Sequence, residues 1–277
     1  MIILKNKKQM LNKIVEKKKN SINRKKSLNP VFSMKNIART YQNRSLVERI
    51  KRMGFVVIAE TKKASPSGGI FRKRYNPSRI AISYVRGGAS AISVLTEENF
   101  FLGSIDHLKA VKNVVDVPVV AKDFVIDEYQ IYEARYAGAD CILLILRILS
   151  DKQFLHLFNV AQSLDLEILI EVHDSGELQR FFNILPNSKK VLLGINSRDL
   201  DNLNIDYNRL FGLLSSVKNI KIPIIAESGI NNSKMLKKLY QQGASGVLIG
   251  EYLLRSKSPS LAVKKLLKEI DDARNKD

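Results

Sequence analysis

Eight short apolar runs, most of them followed by a segment of helical period, constrain the fold of this 277-residue chain more than any other feature. The runs are continuous rather than alternating, which is typical of strands buried on both faces of an all-parallel sheet. Segments between them, such as DEYQIYEARYAG, repeat their apolar residues at helical spacing. The eight candidate strands are VVIAE (56–60), AISVLT (91–96), VPVVAK (117–122), CILLIL (141–146), EILIEV (167–172), VLLGIN (191–196), IPIIAE (222–227) and GVLIG (246–250).

A weak internal repeat favours a closed barrel over an open, doubly wound sheet. RGGASAI, YAGADCI and QQGASGV each place Gly-Ala where a helix ends and the next strand begins. Glycine suits this position because it readily adopts the left-handed conformation that caps a helix. The same connector before the second, fourth and eighth strands indicates one unit repeated around a ring. We therefore predict an α/β fold, namely a (β/α)8 TIM barrel.

The first 50 residues predict a helical extension that precedes the barrel. The apolar residues of MLNKIVEKKKNSI recur at helical spacing, opposite its lysines. SLVERIKRMG is a second helical stretch, and Gly54 suits its end. We expect residues 1–50 to pack on a catalytic barrel of residues 51–277, as a single domain overall. The apolar residues of the first stretch are Met10, Leu11, Ile14 and Val15.

The composition disfavours membrane, secreted and disulfide-rich proteins. No apolar run approaches the roughly 18 residues of a membrane-spanning helix, and the apolar patch in MIILKNKKQM is too short for a secretory signal. The basic N-terminal segment is rich in Lys and Asn, whereas transit peptides favour Arg and Ser. The single cysteine, Cys141, lies in the apolar run DCILLIL and suits a small core residue. We therefore expect a reducing, cytoplasmic location.

Metal binding and specific nucleic-acid binding are also disfavoured. His107, His156 and His173 are scattered and form no HxxxH or HExxH spacing, so we expect no metal site. The net charge of +19 would attract phosphate backbones, but the basic residues are spread over the whole chain without interleaved aromatics. A genome rich in A and T would explain the lysines equally well. An RNA-binding protein remains the alternative from another class, and binding that persists near physiological ionic strength would support it.

Ionisable side chains follow the predicted strands at their carboxyl ends. In a parallel barrel these ends converge on one face, where the active sites of such barrels lie. Satisfied salt bridges could explain any single strand end, but several such ends together favour a polar pocket in which Lys and Glu exchange protons. The strand-end groups are Glu60 and Lys62, then Lys122-Asp123-Phe124, Glu171 and His173, Asn196-Ser197-Arg198, Glu227-Ser228-Gly229, and Gly250-Glu251.

A phosphate site is predicted beside the last two strands. AESGIN and LIGEYL supply small residues and backbone N–H groups just before helical segments, a usual phosphate position in barrels. Ser228, Gly229 and Gly250 would let the backbone approach a ligand closely. The loop SPSGG after the first strand could close over the same region. Ordinary turn chemistry is the alternative for these glycines and for Pro66.

The chain resembles the indole-3-glycerol-phosphate synthase family. The motifs that carry the resemblance are IAETKKASPSGG, SVLTEENFFLGS, VPVVAKDFVIDEYQI, GADCILLI, EVH, GINSRDL, AESGI and VLIGEYLLR, and they follow the family's order over essentially the whole chain. The resemblance implies a carboxy-lyase of tryptophan biosynthesis. Its reaction is ring closure, decarboxylation and dehydration of 1-(2-carboxyphenylamino)-1-deoxyribulose 5-phosphate to indole-3-glycerol phosphate. No cofactor is implied.

The family motifs also imply roles for individual residues. Lys122 is similar to the general acid that protonates the ribulose carbonyl, and Glu171 to the acid/base of the dehydration. Glu60 and Lys62 resemble a coupled pair that assists these transfers or holds the substrate carboxylate, and Asn196 resembles a positioning group. The residues implied to bind substrate are Ser65, Phe124, Leu143, Arg198, Leu200, Glu227, Ser228, Gly229, Gly250 and Glu251.

One position departs from the family pattern, and one related function stays open. Glu251 stands where a small hydroxyl residue is common, so we expect a modestly weakened phosphate site. The alternative is another phosphate-binding barrel enzyme of the same pathway, such as phosphoribosylanthranilate isomerase with its Asp/Cys pair. Cys141 opens a strand instead of ending one, which disfavours that role. We expect a small anionic phosphorylated substrate, no membrane partner, and a monomer or weak homodimer.

Overall fold

A closed barrel of eight parallel strands forms the centre of the computed structural model, which describes residues 8–28, 42–186, 188–200, 202–218 and 220–274. The strands are β1 (Val56–Thr61), β2 (Ala91–Leu95), β3 (Val119–Lys122), β4 (Cys141–Ile145), β5 (Glu167–Val172), β6 (Val191–Asn196), β7 (Ile224–Glu227) and β8 (Gly246–Ile249). Strands adjacent in the chain pair with each other, and β1 pairs with β8 to close the ring. The predicted TIM barrel is confirmed.

Helices lie between successive strands, and most begin at a polar cap. Asp127, for example, accepts a hydrogen bond from the backbone N–H of Tyr129, which the first helical turn leaves without a partner. A short hairpin in the loop after β1 pairs Ala64–Ser65 with Gly69–Ile70. The helices are α1 (Lys8–Leu28), α2 (Leu46–Met53), α3 (Pro77–Arg86), α4 (Ile105–Lys112), α5 (Glu128–Tyr136), α6 (Asp151–Ser163), α7 (Ser175–Ile184), α8 (Tyr207–Ser216), α9 (Ser233–Gln241), α10 (Glu251–Arg255) and α11 (Pro259–Arg274), with a 3₁₀ turn at Leu146–Ile148.

Successive residues of each strand alternate between the barrel interior and the layer beneath the helices. Ile58 packs in the interior cluster, whereas its neighbour Val57 packs in the helix-facing core. Both positions are shielded from water, which explains why the strands read as continuous apolar runs. The interior cluster includes Val56, Ile58, Ala91, Val120, Cys141, Leu143, Leu169, Leu192, Ile225 and Leu248.

Helix α2 closes the amino-terminal end of the barrel. Its apolar residues Leu46 and Val47 pack against the interior cluster. The carboxylate of Glu167, the first residue of β5, accepts hydrogen bonds from the backbone N–H groups of Leu46 at 2.7 Å and Val47 at 3.2 Å. A negative charge at a helix N-terminus is favourable because the free N–H groups point at it. As predicted, the helix ends at Gly54, whose φ is +72°.

Helix α1 lies near the opposite end, against the loops that follow β2 and β3. Leu11 and Ile14 are buried with the interior cluster, as the apolar pattern predicts. The prediction that the lysines face away is wrong for Lys18, which is 3% exposed with its Nζ 2.8 Å from Asp123. The reason is that the partly buried carboxylate of Asp123 lies within its reach.

Parts of the predicted extension, residues 1–7 and 29–41, lie outside the described residues. The short apolar patch considered for a signal sequence falls largely within residues 1–7. The division of the chain at residue 50 therefore stays a prediction. Within the described ranges, no helix combines the length and the apolar character needed to cross a membrane.

Candidate active site

A cavity of about 670 Å³ opens at the carboxyl ends of the strands, a size typical of small-molecule sites. Its lining includes every residue that the sequence analysis assigned to catalysis or substrate binding. These are Glu60, Lys62, Ser65, Lys122, Phe124, Leu143, Glu171, Asn196, Arg198, Leu200, Glu227, Ser228, Gly229, Gly250 and Glu251.

The alternation of the strands explains why ionisable side chains enter this cavity. Lys122 stands two residues after the inward-facing Val120, and Glu171 two residues after the inward-facing Leu169. A strand has a side-chain period of two, so the inward direction continues to the strand's last residues. The apolar interior thus ends in charge at the mouth of the barrel.

Lys122 lies between two buried carboxylates. Its Nζ is 3.1 Å from an oxygen of Glu171 and 3.0 Å from an oxygen of Glu227. Burial opposes the charge of the ammonium, but the two carboxylates outweigh burial and raise the pKa of Lys122 above its usual range. Lys122 is therefore a cation at neutral pH.

The two carboxyl groups that share Lys122 prefer opposite protonation states. Burial alone would raise the pKa of Glu171, yet the cations of Lys122 and His173 outweigh it and hold that pKa well below its usual range. Burial raises the pKa of Glu227 to about 8, and the negative charge of Glu171 adds to this rise. The Lys122 ammonium opposes it but does not outweigh it. One ammonium is thus flanked by a carboxylate on one side and a neutral acid on the other.

Glycines make room for these carboxyl groups. A Cβ on Gly194 would lie 2.4 Å from Oε1 of Glu227, an oxygen that is buried without a hydrogen-bond partner among the described residues. A Cβ on Gly250 would lie 2.2 Å from Oε1 of Glu60. Both distances are shorter than nonbonded atoms tolerate, so a side chain at either position would displace an acid of the site.

Glu60 and Lys62 form an ion pair at the rim of the cavity. The Glu60 side chain is 5% exposed and that of Lys62 is 15% exposed, so water screens the pair only weakly. The Nζ of Lys62 also lies 5.5 Å from the centre of the Phe71 ring, within the range of a cation–π contact. Lys62 is therefore held over the cavity by contacts with both the barrel and the loop after β1.

The side of the cavity formed by the ends of β7 and β8 has an unusual backbone. Ser228 has a φ of +67°, a left-handed conformation that is uncommon for residues other than glycine and that costs about 1–3 kcal/mol. Gly229 follows with a φ of +71°. At the next strand end, Oε1 of Glu251 lies 2.8 Å from Nε of Arg255. The carboxylate predicted to repel phosphate is thus paired with a guanidinium that also lines the cavity.

The opposite wall of the cavity is apolar. Phe124, Leu143 and Leu200 line it, and the rings of Phe124 and Phe101 are 6.1 Å apart. At the edge of this wall, Oδ1 of Asn196 accepts a hydrogen bond from a backbone N–H at 2.9 Å. The cavity therefore has an apolar part beside its polar groups, and both parts are lined from one chain.

Several residues that line the cavity were not predicted from the sequence. Arg255 lies six residues after the end of β8. Its spacing of four residues from Glu251 could have predicted an ion pair on a helix. Helix α1 adds an apolar group, and nothing in the spacing of that helix indicates that it lies at the mouth of the barrel. This group is Met10, Leu11 and Ile14.

Among the described residues, no group of three or more His, Cys, Asp or Glu side chains could hold a metal ion. Cys141 is buried at the start of β4, and burial raises the pKa of its thiol well above the usual range. A thiol in this position is unreactive and lies at the end of the barrel opposite the cavity. It therefore does not suit the acid–base pair of the alternative barrel enzyme.

Sequence comparison relates the chain to one enzyme family. A family profile described as indole-3-glycerol phosphate synthase matches residues 11–266. The indole-3-glycerol phosphate synthase of Carboxydothermus hydrogenoformans is 37% identical over 265 residues, which cover 93% of this chain and 99% of that protein. That of Prochlorococcus marinus strain MIT 9515 is 47% identical over 218 residues, covering 77% of this chain and 73% of that protein.

Solved structures with low sequence identity share the barrel. The 3-hexulose-6-phosphate synthase of Salmonella typhimurium has a TM-score of 0.60 at 13% identity, covering 79% of this chain and 99% of that chain. The thiamine phosphate pyrophosphorylase of Pyrococcus furiosus has a TM-score of 0.59 at 16% identity, covering 83% and 99%. At these identities the likeness shows the fold alone.

Proposed function

The chain belongs to the indole-3-glycerol phosphate synthase family, and we propose that the barrel mouth performs the family reaction through Lys122, Glu171 and the residues around them. The enzyme is a carboxy-lyase of tryptophan biosynthesis. It converts 1-(2-carboxyphenylamino)-1-deoxyribulose 5-phosphate into indole-3-glycerol phosphate, carbon dioxide and water. The observation that supports these roles best is the Lys122 ammonium, held 3.1 Å from Glu171 and 3.0 Å from Glu227 beside an apolar wall.

Lys122 acts as the general acid of ring closure. The aromatic carbon that bears the carboxylate attacks the ribulose carbonyl carbon, a carbon–carbon bond forms, and an electron pair moves onto the carbonyl oxygen. A buried ammonium beside that oxygen stabilises the developing charge. The alkoxide that forms is basic enough to take a proton even from a lysine whose pKa is raised.

Decarboxylation and dehydration follow in the same cavity. The bond to the carboxyl group breaks, its electron pair restores the aromatic ring, and the apolar wall of Phe124 and Leu143 favours loss of the charged group as neutral carbon dioxide. The new hydroxyl then takes a proton from the Glu60–Lys62 pair and leaves as water, while Glu171 removes a proton from the adjacent carbon. Glu60 and Lys62 assist these transfers or hold the substrate carboxylate.

The polar side of the cavity binds the rest of the substrate. Asn196 and Arg198 position the sugar portion. The unusual backbone at Ser228 supports a phosphate site, because small residues in left-handed conformations let N–H groups approach a ligand closely. The residues proposed to hold the phosphate are Ser65, Ser228, Gly229, Gly250 and the backbone N–H of Glu251.

Assembly and location are proposed on separate grounds. The family implies a phosphorylated small-molecule substrate. We propose a monomer or weak homodimer, supported by the fact that one chain supplies every residue assigned to the site. A cytoplasmic location is supported by the single, buried cysteine, which suits a reducing compartment.

A Lys122→Ala variant tests these roles. Without the ammonium, ring closure is expected to slow by about 10²–10⁴-fold, the range for loss of a general acid. Turnover is followed by the fluorescence of the indole product, and the fold by circular dichroism. Lys264→Ala, which removes an exposed lysine from α11, is the matched control and should retain full turnover. A folded Lys122→Ala protein with undiminished turnover would rule out the assignment.

A further inference from the structure

Behind Glu171 lies a row of alternating charges that does not line the cavity. The His173 side chain is fully buried, with Nε2 3.0 Å from Oε1 of Glu171 and Nδ1 3.1 Å from Oε2 of Glu177. Arg147, in the 3₁₀ turn after β4, forms an ion pair with Glu177 from the far side. The row therefore runs from the proposed acid/base of the reaction toward the surface, in the order carboxylate, imidazole, carboxylate, guanidinium.

The two contacts of His173 fix the protonation state of its ring. A neutral imidazole has one N–H and one lone pair, so it would direct a lone pair at one of the two carboxylates. With an oxygen of Glu171 near one nitrogen and an oxygen of Glu177 near the other, the ring carries both protons. Burial opposes this charge, but the two carboxylates outweigh burial and raise the pKa of His173 to about 9.

The contact between His173 and Glu171 is a close ion pair, with Nε2 3.0 Å from Oε1. Glu171 is therefore held mainly by charge on this side and by the Lys122 ammonium on the other. Such an arrangement places a cation against each oxygen of the carboxylate and so fixes its position and its ionised state. A backbone donor in the same place would hold the carboxylate more rigidly.

We propose that His173, as an imidazolium between Glu171 and Glu177, is a positioning residue that keeps the Glu171 carboxylate ionised and directed at the substrate side of Lys122. Glu177 and Arg147 also take part in this arrangement. The Glu177 carboxylate stabilises the protonated form of His173, and the Arg147 guanidinium neutralises the charge of Glu177. The inference rests on the proposed role of Glu171 as acid/base. His173 itself contacts neither substrate nor the reacting atoms.

The charged groups around His173 come from five elements, one of which is the 3₁₀ turn, whose Arg147 acts through Glu177. Glu171 faces it from β5 and Glu177 from α7, while Lys122 on β3 and Glu227 on β7 act through Glu171. Above a pH of about 9 the ring loses its proton, and Glu171 loses one of its two cations. Turnover is therefore expected to fall on the alkaline side as His173 titrates. Glu227 also titrates near this range, so kinetics alone cannot identify the group.

Nuclear magnetic resonance separates the two groups without measuring turnover. The chain has three histidines, so the ring nitrogens can be assigned by loss of one signal in a His173→Gln variant. In the whole wild-type protein, both ring nitrogens of His173 should stay protonated at pH 8. Glu177→Gln, which removes the outer anion at constant size, should lower the titration midpoint of His173 by about one unit or more. A neutral ring at pH 7, or an unchanged midpoint in Glu177→Gln, would overturn the proposal.

Kinetics then test the effect on Glu171. His173→Gln should lower kcat by about 10- to 100-fold with an unchanged KM, less than the loss of the acid/base itself. In Glu177→Gln, the alkaline limb of kcat should move down in pH together with the NMR midpoint. The control is His156→Gln, which replaces a histidine 3.4 Å from Glu128 and outside the site. It should change neither kcat nor the position of the alkaline limb.

If the NMR result holds while kcat of folded His173→Gln equals wild type, the positioning role is wrong. If Lys122→Ala is also fully active, the proposed function fails instead.

Discussion

At the amino-terminal end of the barrel Asp140 is held by Lys112 and by backbone N–H groups, whereas at the carboxyl end Glu227 depends on a lysine that it shares with Glu171. Both oxygens of Asp140 lie 2.7 Å from Nζ of Lys112, and the N–H of Val119 donates to it at 2.8 Å. Glu227 has one oxygen without a partner among the described residues. The same class of side chain is saturated at one end of the barrel and only partly satisfied at the other.

This difference distinguishes charged groups that stabilise the fold from charged groups that can take part in proton transfer. Backbone donors cannot move or lose a proton, so a carboxylate that they hold, as the N-terminus of α2 holds Glu167, keeps one position. The carboxyl groups at the mouth compete for one ammonium, so a substrate that draws Lys122 away changes the pKa of both. Proton transfer can therefore occur at the end of the barrel where the carboxyl groups have too few hydrogen-bond partners.

Removing one charge at the amino-terminal end should lower stability and leave chemistry intact. Asp140→Asn leaves Lys112 buried without its anion, which is expected to lower the free energy of unfolding by about 3–5 kcal/mol. The measurement is urea unfolding, with turnover assayed on the folded protein below its transition. Asp151→Asn, which breaks a pair at the exposed Asp151, should cost less than about 1 kcal/mol.

The comparison would break if Asp140→Asn were as stable as the wild type. It would break equally if that variant lost turnover while still folded, because the charges at the two ends would then not have separate roles. The Lys122→Ala variant supplies the opposite expectation, with turnover lost while the fold is retained.

At the mouth, Glu227→Gln should change how stability depends on pH. The pKa of Glu227 is raised to about 8 in the folded protein, so the folded state holds a proton there that the unfolded chain releases near pH 4.5. This proton favours the folded state at low pH, and its contribution is lost as pH rises toward 8. Glutamine cannot ionise, so the variant should gain stability relative to wild type by ~1–3 kcal/mol between pH 5 and pH 8.

Urea unfolding at pH 5, 6, 7 and 8 measures this difference. Ser67→Ala serves as the control, because Ser67 is an exposed residue of the same cavity without an ionisable group, so its replacement should give a pH-independent difference. Parallel stability curves for wild type and Glu227→Gln would show that Glu227 is ionised throughout, and the contrast with Asp140 would then disappear.

Much of the barrel could be predicted because its causes are local in the sequence. Continuous apolar runs report burial on both faces, and the strand period of two carries the inward direction from Val120 to Lys122 and from Leu169 to Glu171. The face that gathers the charged ends then follows from the parallel order of the strands. These inferences need no knowledge of distant contacts.

The remaining features depend on contacts that the sequence pattern does not encode. Leu11 and Ile14 reach the cavity because α1 docks on the barrel, and the buried pair of Lys18 with Asp123 that accompanies this docking joins residues far apart in the chain. Which carboxyl group keeps a proton depends on their cations: Glu171 has two close by, and Glu227 has a share in one. Residue types at strand ends cannot predict that distribution.

The smallest expected effect concerns the exposed pair Glu251–Arg255 at the mouth. Its carboxylate was predicted to weaken phosphate binding, and the structure pairs it with Arg255 at the edge of the cavity. Glu251→Ser should leave Arg255 free to turn toward the phosphate, lowering KM by about two- to fivefold with unchanged kcat, in line with the small energy of an exposed ion pair. The control is Glu48→Ser, which breaks the exposed pair with Lys51 at the amino-terminal end and should leave KM unchanged. Raising the ionic strength should shrink the gain in Glu251→Ser, since salt screens an exposed guanidinium. An unchanged KM at low salt would mean that Glu251 neither repels the phosphate nor restrains Arg255.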